Sequence, residues 1–146
     1  MIFITNSPEE TEEVGRRLAS MLYASGVRNA VVAMRGEMGV GKTAFARGFA
    51  KALDIAGVRS PTYTIVNAHR GVIPLYHFDA YRIESDGDLE SVGFDEYIYS
   101  EGYSLIEWSE NIEWALPEER ITVTVSKTDD RPDRRSIEIT GFCGEI

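Results

Sequence analysis

Gly36-Glu37-Met38-Gly39-Val40-Gly41-Lys42-Thr43 is the stretch from which the fold of this chain can be read. It matches G-x-x-x-x-G-K-[ST], a loop that cradles phosphates. The apolar run Ala30-Val31-Val32-Ala33-Met34 ahead of it reads as a buried strand, and residues 44–53 behind it read as a helix. That order sets backbone N–H groups and the positive end of a helix around a bound triphosphate. Without Cβ atoms, the glycines at 36, 39 and 41 let the loop take otherwise forbidden conformations and approach the phosphates closely. Lys42, read as a point charge on a solvent-facing loop, reaches the β- and γ-phosphates, and the Thr43 hydroxyl ligates Mg²⁺. Glu37, Met38, Gly39, Val40, Gly41 and Ala44 complete the expected nucleotide cradle.

Composition narrows what surrounds that loop. At 146 residues with 43 % hydrophobic content, residues 1–146 fit one domain with one core. A net charge of −9 disfavours a surface that grips nucleic acid or anionic membrane by electrostatics. No direct DNA contact is expected, and any nucleic acid should be reached through a partner. The single cysteine, Cys143, precludes an internal disulfide and reads as a small semi-buried residue near the C-terminus. The first residues carry neither a basic region nor a long apolar segment, and no stretch approaches membrane-spanning length, so a cytoplasmic location is expected.

Along the chain, residues 2–5 suit a short strand. Ser7-Pro8-Glu9-Glu10 then supplies an N-cap, a proline in the first turn and a carboxylate three residues past the cap, so a helix should begin there and stop near Gly26. Thr11 falls in its first turn and, on helix position alone, presents its hydroxyl to solvent. Residues 57–64 form a loop around Pro61. Residues 64–69 and 72–79 read as two antiparallel strands about a tight Arg70-Gly71 turn. Asp79 and Arg82 then lie near a strand end, where α/β folds build sites, although Asp79 also suits capping the next segment. The acidic region 84–99 predicts short surface helices split at Gly93. Tyr103-Ser104-Leu105-Ile106-Glu107-Trp108 has the layout of a strand ending in a metal-site carboxylate, with glutamate in place of the usual aspartate. An exposed strand-terminal glutamate is the alternative reading of Glu107. Residues 111–116 predict at least one helical turn, and residues 121–125 and 137–139 predict two antiparallel strands, half-buried at a sheet edge. The charged segment 127–135 between them reads as a solvated turn.

Taken together, the phosphate loop, Ser60-Pro61-Thr62-Tyr63-Thr64, Tyr76-His77-Phe78-Asp79-Ala80-Tyr81-Arg82 and Leu105-Ile106-Glu107-Trp108 resemble in order and spacing the TsaE (YjeE) family. Members of that family are small bacterial P-loop ATPases required for the threonylcarbamoyladenosine modification of tRNA. The resemblance runs from about residue 11 to 108; beyond it only the strand pattern and Arg134-Arg135 look similar. It implies an α/β, P-loop NTPase-like three-layer fold with a mixed parallel/antiparallel sheet. It further implies ATP and Mg²⁺ as cofactors and a partner complex of TsaB and TsaD, with tRNA met only indirectly. Thr43 and Glu107 become the metal ligands, and Lys42, Asp79 and Glu107 the catalytic residues. Thr11 is placed near the nucleotide base, and residues 60–64 form a switch-like loop. Ala80, where many relatives carry leucine, is a departure that touches packing and not chemistry.

Three activities share such a loop. A hydrolase whose turnover drives a partner, a module gated by ATP binding alone, and a small-molecule kinase are distinguishable in principle. A kinase needs an arginine-bearing lid, and residues 84–101 bring one arginine-free acidic stretch. Two carboxylates, one for metal and one for water, favour hydrolysis over gating. Arg59 and Arg82 are the nearest candidates for an internal arginine finger.

Overall fold

The structure is a computed structural model that describes residues 1–37, 39–58, 65–142, 144 and 146. Seven strands form one sheet: β1 (Ile2–Thr5), β2 (Asn29–Arg35), β3 (Val66–His69), β4 (Leu75–Asp79), β5 (Gly102–Glu107), β6 (Ile121–Lys127) and β7 (Arg135–Thr140). Their spatial order is β1-β7-β6-β2-β5-β4-β3. The central four, β6, β2, β5 and β4, run parallel, while β1–β7, β7–β6 and β3–β4 pair antiparallel. The mixed sheet expected from the sequence is therefore present. Because the four central strands are parallel, their C-terminal ends share one rim.

Helices α1 (Pro8–Ala24) and α2 (Lys42–Lys51) cover one face. Val14, Leu18, Phe45 and Phe49 pack there on Val32, Met34, Leu105 and Val123. The short helices α3 (Asp86–Ser91) and α4 (Phe94–Ile98), with a 3-10 segment Ser109–Ala115, cover part of the other. Leu89, Phe94 and Ile98 pack there with Val31, Phe78, Ala80 and Ile106. Neighbouring residues of β2 thus point to opposite layers, as strand periodicity requires. The outer layer is acidic toward solvent but apolar beneath, so it is a working wall of the core.

α1 starts as its sequence dictates. Ser7 Oγ accepts from Glu10 N at 3.2 Å, Pro8 occupies the first turn, and the helix ends just before Gly26 at φ 78. α1 and α2 touch through glycines. A Cβ on Gly48 would lie 1.8 Å from Glu12 O, and one on Gly15 would lie 2.2 Å from Phe45 O. Gly48→Ala is expected to destabilise the fold by about 3 kcal/mol, because backbone on both sides must move apart. Gly87→Ala is the control, since the nearest atom to a Cβ there is Ser85 Oγ at 3.6 Å. Chemical denaturation of both variants measures the contrast.

Three expectations need correction. The β3–β4 hairpin is antiparallel, but its connection is the five residues 70–74 and not a two-residue turn. Gly71 packs on Leu53 O, Val72 N donates to that same oxygen at 2.9 Å, and Ile73 is buried, so this segment is anchored to the end of α2. β6 and β7 do not form an edge, because β1 adds outside β7 and β6 joins the parallel core. Their alternation reflects one covered face, which an interior strand also shows. Thr11 is buried with its hydroxyl 2.8 Å from that of Thr5, where solvent exposure was expected. Met38, Arg59, residues 60–64 and Cys143 lie outside the described residues, and with them the switch-like loop.

Candidate functional site

The phosphate loop leaves β2 at the shared rim. Gly36 sits at φ 146 with its Cα against Val125 O of β6, where a Cβ would approach to 2.5 Å. Gly41, at φ 114, caps α2 with no side-chain bond, so Lys42 and Thr43 open the helix and its first N–H groups face the loop. Lys42 is only 5 % exposed, contrary to the solvent-facing position expected from sequence. Its Nζ donates to Gly36 O at 2.7 Å and lies 3.8 Å from the centre of the Trp108 ring. Burial draws the ammonium below the usual lysine range, opposed by the negative charges of Glu107, Glu110 and Asp79. Trp108 takes φ 58, a left-handed conformation rare for an aromatic residue, and its ring also meets Tyr81 at 4.9 Å.

Asp79 and Glu107 end adjacent parallel strands and stand opposite each other in register. Ala80 N donates to Glu107 O at 3.0 Å, which locks the two strand ends together. Asp79 Oδ1 accepts from Tyr81 N at 3.0 Å, so the residue both caps its turn and faces the site. Desolvation, with a smaller contribution from Glu107, raises its carboxyl above the ordinary aspartate range, while that backbone bond, Lys42 and His77 oppose the rise. Glu107 is 4 % exposed, and His77 Nε2 lies 2.5 Å from its Oε2. The bland reading of Glu107 as an exposed strand terminus is thereby excluded.

Lys42, Trp108, Asp79 and Glu107 line one cleft of about 520 Å³, within the range of small-molecule sites. Gly39, Val40, Gly41, Lys42, Thr43, Ala44, Asp79, Glu107 and Thr11 all border it. Glu37 and Arg82 are not among its lining residues. Sequence reasoning missed others. Arg47 comes from the second turn of α2 and faces Glu12 at 4.0 Å. Asp133 and Arg135 come from the 127–135 segment, which is therefore a wall of the cleft and not only a solvated turn. Arg135 Nε donates to Val40 O at 2.7 Å, pinning β7 to the phosphate loop. Glu110 Oε2 accepts from Gly36 N at 3.3 Å, and Ser109 Oγ donates to Met34 O at 2.9 Å, so the 3-10 segment buttresses the loop. The adjacent Arg134-Arg135 pair carried a faint signal, but the other contacts join residues far apart in sequence and left none.

Among the described residues no three His, Cys, Asp or Glu side chains cluster to hold a metal by themselves. A hydroxyl and one or two carboxylates do suit Mg²⁺, which takes hard oxygen ligands and completes its octahedron from water and phosphate. Thr43, Glu107 and Asp79 bring those oxygens to one cleft.

Residues 5–137 match the family described as Threonylcarbamoyl adenosine biosynthesis protein TsaE. The chain is 39 % identical over 138 residues to a tRNA threonylcarbamoyladenosine biosynthesis protein TsaE of Bacillus subtilis, covering 93 % of this chain and 82 % of the relative. It is 32 % identical over 123 residues to the protein of that name from Treponema pallidum, covering 84 % and 88 %. The crystal structure of YdiB from Bacillus subtilis superposes with a TM-score of 0.77 at 34 % identity, covering 94 % of this chain and 82 % of that one.

Proposed function

The chain belongs to the TsaE family of threonylcarbamoyl adenosine biosynthesis proteins, and from that premise we propose that it is a P-loop ATPase that binds and hydrolyses Mg·ATP to drive a TsaB–TsaD complex in modifying tRNA. The observation that carries the reading is the meeting of a phosphate loop with two strand-end carboxylates in one cleft. The loop N–H groups and the start of α2 receive the triphosphate. Lys42 transfers its ammonium from Gly36 O to the β- and γ-phosphates, a short move for a flexible side chain. Thr43 and Glu107 would hold Mg²⁺, which neutralises charge on the β- and γ-oxygens. Asp79 orients the attacking water, and its raised carboxyl makes it a better proton acceptor than an ordinary aspartate. The acidic surface supports a role reached through protein partners and not through tRNA itself.

Turnover by the isolated protein is expected to be slow. Among the described residues, Arg47 and Arg135 are the arginines at the cleft, and both are engaged, with Glu12 and with Val40 O respectively. An arginine supplied by a partner contributes ~10³–10⁵ in rate in related nucleotide hydrolases. ATP turnover measured with and without purified TsaB–TsaD tests this, and fast hydrolysis unaffected by the partners contradicts it. Modification supported equally well by a slowly hydrolysed ATP analogue would instead favour gating by binding alone.

A further inference from the structure

We propose that His77 is the positioning residue of the metal site: its Nε2–H holds Oε2 of Glu107 so that Oε1 is presented to Mg²⁺. The inference rests on the reading of Glu107 as a metal ligand. In the parallel register of β4 and β5, His77 stands opposite Leu105, and Glu107 lies two residues further along the same strand. Residues two apart share a face, so the imidazole and the carboxylate meet diagonally across the ladder. His77 is fully buried, and the Nε2 contact at 2.5 Å is the bond that holds its ring. Nδ1 has no partner among the described residues. A buried polar atom without a partner costs stability, so an aliphatic side chain would serve the interior better. What the histidine supplies that an aliphatic cannot is a donor aimed at Glu107. With one oxygen fixed, rotation of the carboxylate stops and the direction of the other oxygen is set. Outer partners of this kind typically change metal affinity by ~10–100-fold.

The test compares His77→Leu, His77→Asn and His77→Gln. Glutamine places an amide N–H near the position of Nε2, whereas asparagine reaches only as far as Nδ1. Titrating Mg²⁺ into each ATP complex should show affinity weakened ~10–100-fold in the leucine and asparagine variants and within ~3-fold of wild type in the glutamine variant. ATP binding measured in chelator should be unchanged in all three. Wild-type Mg²⁺ affinity in His77→Leu, equal losses in His77→Gln and His77→Asn, or a matching loss of Mg²⁺-free ATP binding overturns the proposal. Glu107→Ala serves as the reference. Unaltered Mg²⁺ affinity there removes the metal-ligand reading itself, while loss there with a silent His77→Leu removes only the role of His77. Imidazole ¹⁵N spectra of the wild-type protein avoid any dependence on variant folding, and the chain has just two histidines to assign. The expected signal for His77 is the Nε2–H form, shifting as Mg²⁺ is added to the ATP complex. The opposite tautomer, or a signal that stays still, refutes the idea.

Discussion

Lys42→Ala is expected to lose ATP affinity by ~10²-fold or more, the usual cost of truncating one partner of a desolvated charge contact. The ammonium is held within the cleft by Gly36 O and the Trp108 ring, so it needs little reorganisation to meet a phosphate. Its loss also removes the positive charge that offsets Glu107, Glu110 and Asp79. Losing a hydrogen bond and a cation–π contact is partly offset by relief of the burial that lowers the ammonium, so the variant should fold with a stability deficit of at most about 1–2 kcal/mol. Calorimetric titration with ATP, beside a denaturation curve, separates the two effects. Unchanged ATP affinity would end the reading of this loop as a nucleotide site.

The second large effect separates the two carboxylates. Glu107→Ala is expected to impair Mg²⁺-dependent ATP binding together with turnover. Asp79→Asn keeps the shape and removes a negative charge beside the triphosphate, so ATP affinity should hold or rise while hydrolysis falls by ~10²-fold or more. The folded-state carboxyl of Asp79 lies above its unfolded value, so its charge costs stability at neutral pH. That cost is relieved as pH falls through the folded value toward the unfolded one, and the asparagine variant should be free of it at every pH. Equilibrium ATP binding across a Mg²⁺ series, paired with single-turnover hydrolysis, reads both roles. A metal defect in Asp79→Asn with normal Mg·ATP binding in Glu107→Ala reverses the assignment.

The parallel heart of the fold was legible because its signals are local. The glycine loop, the Ser7-Pro8 helix start and the carboxylate after an apolar strand each follow from a few consecutive residues. Thr11 was misread because helix position says nothing of β1, whose Thr5 covers it. The five-residue β3–β4 connection was hidden for a similar reason, since what extends it is the backbone oxygen of Leu53, in the loop after α2. In the cleft, the phosphate end was readable as a motif. Arg135 on Val40 O and Glu110 on Gly36 N join positions roughly 95 and 74 residues apart, and such contacts leave no periodicity to detect. The pairing of His77 with Glu107 depends on β4 and β5 being neighbours, which no single stretch announces.

The register of β1 with β7 bears on how the molecule comes into being. Ile2 to Thr5 pair with Glu138 to Arg135, so β1 is synthesised well before the strand it pairs with. About 130 residues separate Thr5 from Arg135, which at ordinary synthesis rates amounts to roughly 7–26 s. Throughout that interval Ile2, Phe3 and Ile4 have no partner strand, a short sticky end of the kind that chaperones recognise. The candidate cleft shares the same delay, because Ser7, Pro8 and Thr11 border it on one side while Asp133 and Arg135, made much later, border it on another. A nascent chain therefore carries its glycine loop long before the residues that wall the cleft are made, and on the proposed reading a ligand bound there would favour the chain in which both sides are present.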